Sequence, residues 1–402
     1  MSVAAERMSA HELRASISLA SIYALRMLGL FLILPVFAVY AHGLPGADPA
    51  QIGLALGIYG LTQALLQIPF GAISDRFGRK PVIVGGLLVM ALGSFVAAAG
   101  ATQNALNWIV VGRALQGMGA VSAAVSAFIA DSTRPMQRTK AMAMVGASIS
   151  VMFALSMVVA PALYAAIGMA GLFTLTGALA LTAVVVVVWV VPQAPVAPMQ
   201  TSARTPWLRV VLNAQLLRLN LGIFVLHSAL MALFVVLPVM WVARGLPLNR
   251  HAWVYLPVML LSFALMMPPI RSAERLGRAR ALMRAGMAAV VIAALGFAWA
   301  ATDAHSSVVA LAACLLLFFV AFNVLEASFP SAISRLAPPD ARGLAMGVYN
   351  TSHSLAFYVG GAAGGWLATH HGAVAVFIAM ACIAVGWLVL SLGMKEPTKI
   401  VF

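Results

Sequence analysis

Charge in this chain is almost confined to the gaps between twelve long apolar runs, and that separation dictates the solvent in which it folds. The runs cover residues 15–40, 51–73, 81–101, 106–131, 139–166, 170–191, 214–243, 252–273, 282–301, 307–335, 343–369 and 373–394, numbered here as spans 1 to 12. Each is near the ~20 residues that a helix needs to cross a hydrocarbon core. With 63% hydrophobic and 8% charged residues over 402 positions, no soluble core could hold the apolar surface. Open strands would leave backbone polar groups unsatisfied in lipid, so every run is read as a helix. The expected fold is all-α and integral to the membrane.

The net charge of +14 could suggest a nucleic-acid partner, but the placement of the charge argues otherwise. In a twelve-span topology, 20 of the 24 Lys and Arg residues fall on one side, from Arg7 and Arg14 to Lys395 and Lys399. Only Arg244 and Arg250 fall on the other, while Arg26 and Arg113 lie within spans. This is the positive-inside asymmetry, which places both termini in the cytoplasm and excludes nucleic acid as the expected partner. The first span is long, contains Arg26 and lacks a cleavage site of small residues, so it is not read as a signal peptide. Cys314 and Cys382 both lie in spans and no metal-ligand spacing occurs, so neither a disulfide nor a metal or cofactor is expected.

Between the first two spans and the third lies a charged hinge, residues 71–81, reading Gly-Ala-Ile-Ser-Asp-Arg-Phe-Gly-Arg-Lys-Pro. A degenerate echo follows 199 residues later: Glu274-Arg275-Leu276-Gly277-Arg278 matches Asp75-Arg76-Phe77-Gly78-Arg79. The flanking hydrophobic segments repeat at the same offset. Duplicated halves around a central site are how many secondary transporters are built. The Pro-rich stretch Pro192–Trp207 is too polar to span and reads as a cytoplasmic linker. The expected organisation is a six-helix bundle over 1–191, a linker over 192–212 and a second six-helix bundle over 213–402.

These residues resemble the major facilitator superfamily, and within it the twelve-span drug/proton antiporter group. Gly71, Asp75, Arg76, Gly78, Arg79 and Lys80 stand where that family's loop motif places them. Span 4 carries Arg113, Gln116 and Gly117, similar to the family's Arg-x-x-Gln-Gly motif. Span 1 carries Leu28-Gly29, five residues and Pro35, a further family pattern. In span 5, Pro161 of the antiporter signature is retained, but the glycines around it are replaced in Val159-Ala160-Pro161-Ala162-Leu163-Tyr164. Some relatives carry a ferredoxin-like cytoplasmic domain after the last span. With eight residues after span 12, none is expected here.

The resemblance implies that the hinge is a latch which holds the outward-facing state and releases during transport. Physically, Asp75 would be stabilised near the start of span 11, close to Arg342, by about 0.3–1 kcal/mol. Gly71 would permit close helix approach and Gly78 a tight turn. The alternative is that the basic residues only set topology.

Glu326 in span 10 is the one acid well inside a span. An acid at a helix centre costs about 2.5–3.5 kcal/mol on insertion scales, so such a residue usually faces a cavity or a partner. His227 in span 7 and His353 in span 11 lie at comparable depth, and with Glu326 they could bind and release a proton; a structural Glu–His pair is the competing reading. Arg26 in span 1 is a third kind of buried charge, either an anion site, a counter-ion for Glu326, or a structural cation among carbonyls. Arg113 would serve proton transfer or helix packing. Tyr23, Tyr59, Gln63, Gln67 and Asn323 are candidate substrate-cavity residues, with interhelical hydrogen bonding as the plainer role.

No phosphate loop, nucleophile–base pair or metal cluster appears in the sequence, so an enzyme or ATP-driven pump is not expected. The expected function is proton-coupled efflux of small amphipathic molecules by a monomer in a bacterial inner membrane, with small molecule, protons and lipid as partners. Uptake by proton symport is an alternative, as is a non-transporting receptor or assembly factor. Topology is directly testable. In a background lacking Cys314 and Cys382, a cysteine near Asn104 or His370 is expected to react with an impermeant reagent from outside. One near Thr201 should react only after permeabilisation, and labelling there in intact cells would overturn the orientation.

Overall fold

A computed structural model of the chain describes residues 8–119, 121–193, 206–303, 307–338 and 341–396. Most of the expected linker, residues 194–205, lies outside the described residues; at its end Trp207–Val211 form a single helical turn. Among the described residues there is no strand, and ten helical stretches are long and apolar enough to cross a membrane. Two of these, Met136–Val190 and Arg342–Gly393, are twice the length a bilayer needs. Each turns back at a glycine with positive φ, Gly168 (65°) in the first and Gly372 (78°) in the second. Dividing them there gives the twelve spans.

Two spans are interrupted where the sequence suggests continuous helices. Span 1 runs as Ala10–Phe31 and, after a break just before Pro35, as Leu34–His42. A proline has no N–H to donate and crowds the preceding turn, which accounts for the break. Span 4 runs as Leu106–Met118 and Ser122–Ser132 around Gly119, which leaves the helical region at ψ 44°.

The chain divides into two compact units. One contains the chain up to Phe37 together with the stretch from Leu61 to the linker; the other contains Ala38–Gly60 and everything after the linker. Helix Pro49–Phe77 therefore belongs to both.

Within the first unit, glycines bring helix backbones together. Thr176 of span 6 donates its hydroxyl to the Gly29 carbonyl at 3.1 Å, and Phe31 packs edge-on against Phe153 of span 5. Spans 3 and 4 cross at Gly93 and Gly112, where a Cβ on Gly93 would lie 2.6 Å from the Gly112 oxygen and 2.5 Å from the Gln116 nitrogen. Within the second unit, span 11 presents small residues on two faces. Gly360 and Gly364 meet Ser228 and Ala232 of span 7, while Gly361 and Gly365 meet Gly53 of span 2. Phe297 of span 9 stacks on Phe377 of span 12 at 5.1 Å.

Among the described residues, the six glycines with positive φ form three pairs at nearly constant separation: Gly46 and Gly245, Gly78 and Gly277, Gly168 and Gly372. A left-handed turn tolerates few residues other than glycine, so the duplication persists where geometry forbids drift.

Gly93→Ala is expected to destabilise the detergent-solubilised protein by about 1–3 kcal/mol, because its methyl would overlap backbone atoms. Gly85→Ala on the same helix, where nothing lies within 4 Å of the new Cβ, should be neutral or slightly stabilising. Thermal unfolding of the two variants side by side checks this; equal melting temperatures would show that spans 3 and 4 do not cross so closely.

Candidate functional site

In the second unit, Glu326 and His227 come together. His227 Nε2 stands 3.5 Å from Glu326 Oε2, with the His227 side chain 4% exposed and that of Glu326 34% exposed. His227 Nδ1 lies 3.2 Å from the Ile223 carbonyl oxygen of its own helix. A carbonyl can only accept, so the proton is assigned to Nδ1, leaving Nε2 as a lone pair in the neutral ring. A lone pair facing a carboxylate repels it, so this contact is attractive only with one proton on either the carboxyl or the imidazole. Glu326 Oε2 is shielded and accepts no hydrogen bond among the described residues.

Aromatic rings wall the pair. The His353 ring centroid is 4.0 Å from that of His227 at 81°, with Phe322 at 5.2 Å and Phe357 at 5.5 Å. Tyr349, one turn before His353, is buried with its hydroxyl unbonded. The sequence reading missed Tyr349, although its spacing from His353 and Phe357 marks one helix face. Asn323 does not turn to Glu326; its amide donates to Ser262 Oγ of span 8 at 3.0 Å.

The first unit holds a second polar cluster. Arg26 is fully buried and donates to Ser122 Oγ at 2.6 Å; Gln63 reaches the same oxygen at 3.4 Å. Tyr23 donates its hydroxyl to the Ser122 carbonyl at 2.7 Å. Ser122, which opens the second segment of span 4, is the hub that the sequence reading did not single out. Gln67, one turn beyond Gln63 on the same helix, is also buried, whereas Tyr59 of the same stripe falls in the other unit. Arg113 is turned away from this cluster. It donates to Gln116 Oε1 at 2.9 Å, and Gln116 donates to Ser94 Oγ of span 3 at 2.8 Å. The Gln116–Ser94 bond ties spans 3 and 4, and Arg113 braces Gln116 from its own helix.

These two clusters occupy corresponding places in the repeat. Arg26 and His227 are 201 residues apart, as are Ser122 and Asn323, while Gln63 and Ser262 are separated by 199. The same three spans of each half contribute, but only the second half supplies a carboxylate.

At the hinge end of the first unit, the hinge residues meet an acid the sequence reading passed over. Arg79 pairs with Asp75 one turn away, with Asp131 Oδ2 at 2.9 Å and with Ser74 Oγ at 2.7 Å. Asp131 ends span 4, so Arg79 ties three helices. Gly78 takes φ 93°, as the tight turn requires, and Lys80 donates to the Val191 carbonyl at 2.5 Å. Nearby, Glu12 accepts from the backbone nitrogen and the guanidinium of Arg134 at 2.8–2.9 Å. Those hydrogen bonds raise the Arg134 pKa above its ordinary value. Asp75 and Arg76 are exposed, the Asp75 side chain at 66%, while Gly71 is half-buried.

Comparison with known proteins agrees with this architecture. The family profile of the Major Facilitator Superfamily matches residues 19–356 and again 271–401. The inner membrane transport protein YajR of Escherichia coli strain K12 is 42% identical over 394 residues, covering 97% of this chain and 85% of that protein. The multidrug resistance protein MdtH of Proteus mirabilis strain HI4320 is 27% identical over 350 residues, covering 85% and 84%. Among solved structures, a D-xylose–proton symporter superposes with a TM-score of 0.74 over 96% of this chain and 99% of its own, at 15% identity, a likeness of fold alone. The chain belongs to the Major Facilitator Superfamily and is a multi-pass membrane transporter.

The hinge geometry ranks its two acids. Asp131→Ala is expected to cost about 1.5–3 kcal/mol of stability, as a hydrogen bond to a half-buried charge does. Asp75→Ala, at a largely exposed pair, should cost no more than about 1 kcal/mol. Thermal unfolding of both variants in detergent tests the order, and a larger loss for Asp75→Ala would reverse it.

Proposed function

We propose that this transporter exports small amphipathic molecules across a bacterial inner membrane in exchange for protons, by alternating access, with both termini in the cytoplasm and one chain sufficient. The observation that carries the reading is the His227–Glu326 contact. It lies within a membrane bundle, is attractive only when a single proton is bound to the pair, and retains partial exposure at the carboxyl end. A group of that kind can load a proton in one state and lose it in another. Export is supported by the likeness to a multidrug resistance protein. Uptake by proton symport is the second reading, favoured by the glycines missing around Pro161 in span 5. In both, the hinge acts as a releasable latch in which Asp75 takes part. His353 and Tyr349 adjust the Glu326 environment.

Glu326→Gln fixes the proton-bound form, because its amide can donate to His227 Nε2 as a protonated carboxyl would. In proteoliposomes with an imposed pH gradient, net flux of a labelled amphiphile is expected to fall at least about 100-fold, corresponding to ~2.7 kcal/mol of lost coupling. Exchange between preloaded vesicles and substrate binding should persist, since neither requires deprotonation. His227→Ala should shift the pH optimum. If Glu326→Gln still concentrates substrate in proportion to the pH difference, Glu326 is not the coupling group. Running both gradient directions separates export from uptake.

A further inference from the structure

The polar groups of the first unit converge on one turn that its own spans supply with no acid. The acids of that half, Glu6, Glu12, Asp48, Asp75 and Asp131, all lie at or beyond the ends of spans. At the place where the second unit opposes His227 with Glu326, the first has Ser122 against Arg26. Ser122 already accepts from Arg26 and Gln63 on its hydroxyl and from Tyr23 on its carbonyl.

Gln67 lies on the helix face that packs against the same turn. It lies one turn beyond Gln63, which reaches Ser122, and one turn before Gly71, where a Cβ would stand 3.5 Å from that of Ala123. Gln67 is 2% exposed, yet neither its amide nitrogen nor its amide oxygen has a hydrogen bond. A buried amide in that condition costs stability and marks a place where a ligand or water belongs. The surroundings select the ligand. Helix Ser122–Ser132 begins here, and the first amides of a helix lack intrahelical acceptors and carry its positive end. The fully buried guanidinium of Arg26 adds a permanent positive charge at the same spot.

We propose that the first unit holds an anion subsite, in which the carboxylate or similar monoanionic group of the transported molecule accepts from the Gln67 amide beside Arg26 and the start of this helix. The substrates are then amphipathic anions rather than cations. This rests on the transport reading and narrows it to a substrate class.

The test uses the full chain purified into lipid nanodiscs, with octanoate and benzoate compared by calorimetry against octanamide and benzamide. The carboxylates are expected to bind at least about tenfold more tightly than the amides. Gln67→Leu should weaken octanoate about tenfold while raising the melting temperature of the empty protein, because an unsatisfied amide gives way to an apolar side chain. A merely structural Gln67 would move both in the same direction. Arg26→Lys, which keeps the charge, should retain part of the binding.

The proposal fails if carboxylates and amides bind alike or not at all, or if Gln67→Leu leaves octanoate affinity unchanged or lowers the melting temperature of the empty protein. Flux measured on the same protein keeps the two readings apart. If a neutral or cationic amphiphile is driven by the pH gradient while carboxylates are ignored, the anion subsite is removed and transport stands. If carboxylates bind selectively but no compound is driven by the gradient, proton coupling is removed and the subsite stands.

Discussion

Lipid cannot hydrogen-bond a peptide group, and most of this architecture follows from that refusal. Every backbone N–H and C=O in the membrane must find a partner within the protein, so the chain is helical wherever it meets hydrocarbon. Departures from the helix are then informative. The described chain breaks in mid-span before Pro35 and at Gly119, and the residues after the second break are the hub of a buried polar cluster. Irregular backbone is tolerated at membrane depth where it is buried in protein, as Ser122 is beneath Arg26, Tyr23 and Gln63.

The same constraint explains why two halves with diverged sequences still share geometry. Glycines at positive φ recur in register, and so do the places on corresponding spans where polar side chains meet. What has changed between the halves is the chemistry at those places. One carries a permanent cation among hydroxyl and amide groups, the other an imidazole opposed to a carboxyl that can exchange a proton. Duplication followed by such specialisation lets one scaffold hold two kinds of charge without placing them in the same cluster.

Much of this was legible in the sequence. The twelve spans follow from hydropathy alone, and the duplicated hinge was visible because glycine and charge at a turn cannot drift freely. Glu326 stood out for the cost of an acid in a span, and its partner His227 because of matching depth. Less was legible where partners are brought together by tertiary packing. Ser122 and Ser262 are unremarkable serines until helices cross; Asp131 ends a span as many acids do, and only its contact with Arg79 shows what it is for. Arg113 matched a motif, yet its direction toward Gln116 and Ser94 depends on how spans 3 and 4 pack. The break in span 4 was hidden because its composition is that of a good helix on both sides.

The ends of the two bundles are fastened in the same manner. Lys80, at the start of span 3, holds the Val191 carbonyl where span 6 ends. Two hundred residues on, Arg280 and Arg284 of span 9 hold Met394 and Ser391 where span 12 ends. A strand of rope frays from its tip unless the tip is whipped, and these side chains serve as the whipping. The last carbonyls of each bundle's final helix are thus spoken for by a neighbour in the same bundle, and the closing turn of span 6 or span 12 cannot unwind without breaking a charge-assisted bond.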